Sequence, residues 1–286
     1  MIRTIPTRRF YRWAFTGYVL LYFVFLFSPL VITSILAFND SDFPGLPWQG
    51  FTLDWFLADN EQRTGIFHDD RNLSAIWVSI QTAFAVSALS LILGTMAAFL
   101  FEQERFPLRQ PLYFLALAPL VIPGVILGIS ILLASNAAGL YLEEKFGIDI
   151  EWLRPSFWLV VLGQMSFITT FVLLVVSARL KKFDPSLEEA ALNLGATRLE
   201  AIRLITIPYL KPALIGAGSV AFLMSFENFN TTLFLIGSET TLPVSLYLQV
   251  RDGSSPLINA VAFLLIVGTS TLALINLLLT RKQKDY

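Results

Sequence analysis

The chain has no cysteine and only one histidine, His68. Without thiols it can form no disulfide, no thiolate nucleophile and no cysteine-based metal site. One imidazole cannot build an HExxH zinc site, and neither a GxSxG elbow nor a CxxC pair occurs. The lone His68 reads as a surface loop residue. A GxxxxGK[ST] phosphate loop is missing too, so the chain carries no P-loop of its own. Charge is scarce: Asp, Glu, Lys and Arg make up 14% of residues, and the formal net charge is −1. No nucleic-acid partner, metal or bound cofactor is expected.

Apolar residues are what the chain has in abundance. They form 55% of the 286 residues, and the mean hydropathy of +0.67 is too high for a soluble domain of this length. Charge-free windows run over 13–39, 74–101, 111–138, 155–178 and 253–280, and a further window over 212–238 is interrupted only by Glu227. Each exceeds the roughly 20 residues a helix needs to cross a ~30 Å hydrocarbon core. The pattern predicts an all-α polytopic membrane protein with six transmembrane helices. The first window is longer than a signal-peptide core and ends without a small-residue cleavage site, so it reads as a retained span.

Basic residues orient these spans. With residues 1–12 inside, the inner segments hold 15 of the 20 Lys and Arg, and the outer ones hold 13 of the 21 acids. Both termini, the tail 281–286 and the loop 179–211 are therefore expected on the cytoplasmic side. The outer loop from Asp40 to Arg71 is acidic and Trp-bearing; it reads as a meeting surface for a periplasmic protein or simply as a solvated loop.

The inner loop 179–211 is amphipathic. Asp184 can cap a helix with Pro185 at its first position, and Glu188 and Glu189 fall where the helix dipole favours negative charge. A short helix to about Leu194 is expected, then a turn at Gly195, then renewed helical periodicity over Arg198–Ile205 until Pro208 stops it. The small residues Ala190 and Ala191 would let another protein approach closely, with Glu189 as a charge partner. Composition alone also fits an amphipathic loop lying on the membrane.

The spacing Glu189-Ala190-Ala191, three residues, Gly195, nine residues, Ile205, one residue, Ile207-Pro208 resembles the EAA motif of bacterial ABC importer permeases. Only Ile207 departs from that pattern, standing where it has Leu. The resemblance implies the type I ABC importer permease fold and a multi-pass protein of the bacterial inner membrane. It implies that the insert is a coupling helix docking on a separate ATPase dimer, with ATP and Mg bound there and Glu189, Ala190, Ala191, Gly195, Ile205 and Pro208 at the contact. It further implies a second permease subunit, a periplasmic or extracellular substrate-binding protein and membrane lipid as partners. The stretches Ala221–Phe229, Thr241-Leu242-Pro243, Arg251–Pro256 and Asn259-Ala260 resemble the second permease subunit of spermidine/putrescine importers, from the first span to the last. Two neighbouring acids expected there are Glu227-Asn228 here, and permeases for iron, thiamine, opines or phosphonates share parts of the pattern.

Glu227 needs its own reason, because a carboxylate within a span costs roughly 2.5–3.5 kcal/mol to insert and usually faces water or a partner. Asn230 and Thr231, three and four residues on, would share its helical face. One reading makes this stripe the lining of a translocation path that attracts a cation, with Phe226 or Phe229 adding cation–π contact. The other makes it interhelical glue against the second permease. Gly124 and Gly128 form a GxxxG that reads as close packing, and Gln164, Ser166, Thr169 and Thr170 form a polar patch on the fourth span. A stand-alone secondary transporter is disfavoured by the lack of an internal repeat and of a buried basic partner for Glu227. A scaffold would not need the polar stripe.

Overall fold

The computed structural model describes residues 9–60, 63–253 and 255–282. Arg3, Arg8 and Lys284 of the charge argument, Glu61, most of the expected N-terminal segment and the end of the tail lie outside the described residues. Among the described residues the regular structure is helical, apart from isolated bridges pairing Asn39 with Phe51 and Asp59 with Thr64. The helices are α1 (Arg9–Leu36), α2 (Asp54–Leu57), α3 (Asp70–Gln103), α4 (Arg109–Leu117), α5 (Gly124–Phe146), α6 (Phe157–Leu180), α7 (Ser186–Asn193), α8 (Arg198–Ala201), α9 (Ile207–Phe226), α10 (Thr232–Leu235), α11 (Leu242–Gly253) and α12 (Leu257–Lys282). Five stretches are long and apolar enough to cross a membrane: Tyr11–Leu36, Asp70–Gln103, Gly124–Phe146, Phe157–Leu180 and Arg198–Phe226. In α12 the apolar run spans at least Leu257–Thr271. This is consistent with the expected six spans.

The chain divides into two units, one of residues 1–73 with 248–286 and one of residues 74–247. In the first, α1 packs on α12. Most of α1's large apolar side chains stay exposed, Phe25 by 75%, so this helix finds its apolar surroundings outside the chain. The loop after α1 is organised around buried Asn39. Its amide accepts from Gln49 N at 2.8 Å and donates to the carbonyls of Gly45 and Pro47, while its own carbonyl accepts from Trp55 Nε1 at 2.9 Å. Phe38 stacks on Phe51, lies tilted against Phe56 and meets Phe263 edge to face.

The second unit is built around α6, which buries twelve residues and packs mainly on α9. Val161, Ile168, Val172 and Val176 from α6 meet Leu210, Ala217 and Ala221 from α9 and Val86 and Ala98 from α3. An apolar helix needs such all-round burial only at the centre of a bundle; elsewhere lipid serves as well.

The unit corrects the sequence reading at three places. The window 111–138 is not one helix. α4 ends in a 3-10 turn, Ala118–Leu120, and α5 begins only after Pro123, whose extended ψ of 132° breaks the run. Pro119 and Pro123 lack the N–H donors that would continue it. The window 212–238 is likewise broken: α9 ends at Phe226, Glu227 is its C-cap, and the chain re-enters helix only for the single turn α10. Pro208, conversely, does not stop a helix. α8 passes through a π turn, Ile202–Thr206, straight into α9, and the widened turn accommodates a proline in α9's first turn.

Candidate coupling and translocation sites

The insert between α6 and α9 is two short helices meeting at a glycine elbow. Asp184 Oδ1 accepts from Ser186 N at 3.0 Å, which holds its carboxyl below the ordinary range, and α7 then runs to Asn193. At Gly195 φ is +94°, a conformation that L side chains rarely adopt, and Ala196 N donates to Ala191 O to close the turn. Thr197 opens α8 with a capping box: its Oγ1 accepts from Glu200 N, and the Glu200 carboxylate accepts from Thr197 N at 2.8 Å and from Thr197 Oγ1. Those bonds lower the Glu200 pKa, the backbone bond most.

The elbow is anchored at its root. Glu188 accepts from Thr206 Oγ1, which is fully buried where the π turn enters α9. Phe183 packs on Tyr209 at 5.1 Å, and the Arg179 guanidinium lies 4.1 Å over the same ring. Lys181 pairs with Glu102 at 3.5 Å and Arg198 with Glu104, tying the insert to the end of α3. Sequence read Glu188 only as a first-turn acid and did not single out Thr206, although it is a polar residue set between Ile205 and Ile207. Of the expected contact residues, Glu189, Ala190, Gly195 and Pro208 are exposed, and Ala191 and Ile205 are half-buried. Around them Leu187, Leu192, Leu194 and Leu199 are also exposed, Leu194 by 90%.

The break after α9 forms the second site. Glu227, Asn230 and Thr231 do not share a helical face, because they lie in the break itself. Glu227 and Asn230 are exposed, whereas Thr231 is fully buried and its Oγ1 donates to Gly124 O at 3.3 Å. The GxxxG of α5 makes this possible. A Cβ on Gly128 would sit 2.8 Å from Thr231 O, and one on Gly124 would sit 3.1 Å from the Asn230 Cβ. The glycines pack closely, as expected, but their partner is a broken segment. Phe226 stacks on Phe222 and Phe229 on Tyr247, so both rings already have aromatic neighbours.

A buried relay holds the break in place. Ser225 Oγ donates to Gln164 Oε1 at 2.5 Å, Gln164 Nε2 donates to Thr232 Oγ1 at 2.8 Å, and Thr232 Oγ1 donates to Asn228 Oδ1 at 2.9 Å. Gln164 and Thr232 are both fully buried. The rest of the α6 polar patch is also internal: Thr170 donates to Ala116 O at 2.7 Å, Thr169 to Ser90 Oγ, and Ser166 to Gly163 O. Glu227, by contrast, has no partner for its carboxylate among the described residues.

On the outer loop, Arg63 binds Asp40 at 2.5 Å, Asp42 at 2.9 Å and Asp54 at 3.4 Å and lies 5.0 Å over the Trp55 ring. Its pKa is raised, chiefly by the Asp40 hydrogen bond. Asp69 caps α3 through Arg71 N and Asn72 N. Much of this loop's acidity is thus spent on its own fold.

An all-α bundle of apolar helices, interrupted by a two-helix polar insert and a broken fifth span, is the architecture of a transport permease. The chain belongs to the family of binding-protein-dependent transport system inner membrane components, whose signature matches residues 90–284. It is a multi-pass inner-membrane protein. Over 270 residues it is 34% identical to the putrescine transport system permease protein PotI of Escherichia coli strain K12, covering 93% of this chain and 91% of that one. It is 27% identical over 268 residues to the spermidine/putrescine transport system permease protein PotC of Haemophilus influenzae, covering 93% and 96%. The solved structure of a bacterial ABC transporter involved in the import of the acidic polysaccharide alginate shares the fold, with a TM-score of 0.69 over 97% of this chain and 99% of that one at 15% identity.

Proposed function

We propose that this chain is the non-catalytic permease half of a heterodimeric ABC importer whose cargo is a polyamine such as putrescine or spermidine. The 34% identity to a putrescine permease over 93% of the chain carries the cargo reading. In this reading the termini and the 179–211 insert are cytoplasmic, six spans cross the membrane, and a second permease completes the pore. An ATPase dimer, holding ATP and Mg, grips the elbow. The exposed Glu189, Ala190 and Gly195 with the surrounding leucines offer it a small-residue face rimmed by apolar surface, of the kind a partner covers. Closure of the ATPases moves the elbow, and its ties to Thr206, Tyr209 and the end of α3 pass that movement to the spans. A substrate-binding protein delivers the cargo from outside.

Glu227 serves the path in this account, and Thr231 serves packing. An exposed carboxylate at membrane depth requires water or a cation, and the C-terminal end of α9 adds the negative end of a helix dipole. Asn230 flanks it. The cargo is tested by titrating the purified binding protein with putrescine and spermidine in a calorimeter, where amine binding is expected. Binding of an anion or a neutral solute, with none of an amine, would overturn the cargo reading. Glu227→Gln in the reconstituted complex is expected to cut amine uptake by about tenfold or more. Its thermal stability should stay at the wild-type level, because no partner is lost; a destabilised variant with normal transport would return Glu227 to a packing role.

A further inference from the structure

At the end of the second unit remote from the insert, the outer half of α3, the start of α6 and the link between α10 and α11 border an open cleft. α6 puts Phe157 at this end and Leu180 at the other, about 35 Å away at 1.5 Å per residue. The cleft has an inner part of about 160 Å³, lined by Thr82, Ser156 and Ser238 among others, and an outer part of about 510 Å³, lined by Trp77, Ile80, Gln81 and Phe84. Phe157 and Glu239 line both parts. Glu239 is the only charged residue in either lining. It is exposed, and its carboxylate has no hydrogen-bond or ion-pair partner among the described residues. Trp77 is 60% exposed, so its ring is not covered by the rest of this chain.

We propose that this cleft is an outer binding site for the ammonium end of an aliphatic amine, with Glu239 as the charge partner and Trp77 and Phe157 as its walls. A carboxylate without a cation of its own, in a cleft that aromatic side chains also line, selects a compact cation over an anion. The hydroxyls of Thr82, Ser156 and Ser238 offer acceptors for the remaining N–H groups deeper in. Glu239 therefore receives the cargo at the surface, ahead of Glu227, and the site rests on the amine-cargo reading above.

The test uses the whole complex in proteoliposomes with radiolabelled putrescine supplied below saturation. Glu239→Gln is expected to lower uptake about fivefold and Trp77→Ala about two- to threefold, the size of single exposed ion-pair and cation–π contacts. ATP hydrolysis stimulated by loaded binding protein should stay within about twofold of wild type, and the uptake difference should shrink as ionic strength rises toward about 1 M. Wild-type uptake by Glu239→Gln would overturn the site while leaving the cargo reading intact. Parallel loss of uptake and of stimulated hydrolysis would also overturn it, since Glu239 would then act in docking or assembly. A wild-type complex that moves no amine would fail the cargo reading first.

Discussion

Gln164 is a fully buried polar residue at the centre of the second unit's relay. Its amide both accepts and donates inside the bundle, linking Ser225 at the end of α9 to Thr232 at the start of α10, with no exposed surface. Replacing it with leucine keeps the bulk but leaves the buried Ser225 hydroxyl without its acceptor, at a cost of about 1–3 kcal/mol, while Thr232 Oγ1 keeps its bond to Asn228 Oδ1. Gln164→Leu should therefore lower the thermal midpoint of the detergent-solubilised complex by several degrees, at about 2–4 °C per kcal/mol for a chain of this size. An unchanged midpoint would mean that the relay does not hold the break. Sequence placed Gln164 in a polar patch but gave no direction to it, because a 3.6-residue period cannot distinguish a polar face turned to a path from one turned to a broken neighbour. Glu227 was legible as a problem to be solved; that Asn230 and Thr231 would part company from it was not, since the break is written in no proline or glycine between Phe226 and Thr232.

The insert is the element that sequence resolved best, because its signals are local. Asp184, the Glu188-Glu189 pair and Gly195 each act within a few residues of themselves, and α7 and the elbow follow; the Thr197–Glu200 box that opens α8 is equally local but was not read from the sequence. What escaped was the continuation through Pro208, where the outcome depends on a π turn that the surrounding packing selects, with Thr206 buried beneath it. The capping box also carries a pH dependence. The folded Glu200 pKa lies below its ordinary value of 4.5, so the box contributes its full stabilisation above that value and loses it as pH falls through the lower, folded one. Asp184 acts in the same direction at the start of α7. Amide exchange at Thr197 and Glu200, corrected for the intrinsic pH trend, should accelerate below about pH 4.5 while the buried α6 amides stay protected. Protection at Thr197 that does not change between pH 6 and pH 3 would show that the box adds nothing to the elbow.

At the scale of the whole molecule, apolar composition and the positive-inside count gave the membrane class, the number of candidate spans and the side expected for the insert, and the family assignment agrees with the class. Composition misplaced the third and fifth spans because Pro119, Pro123 and the α9–α10 break lie within runs as apolar as their neighbours. The outer cleft around Glu239 was invisible for a different reason: its lining comes from α3, α6 and the α10–α11 link, segments up to 162 residues apart that only the fold brings together. In the proposed function the elbow couples ATP hydrolysis on a partner to amine movement through this chain. This coupling is tested most directly by ATP-driven uptake of radiolabelled putrescine into proteoliposomes holding the full complex, wild type against Gly195→Asp. The position has open space for a side chain but a φ of +94° that aspartate adopts only under strain, and the new charge lies on the docking face. The account predicts ATP-dependent uptake by the wild type and its loss in the variant, with the chain inserted and its spans intact. Wild-type uptake and stimulated ATP hydrolysis in the variant would contradict it.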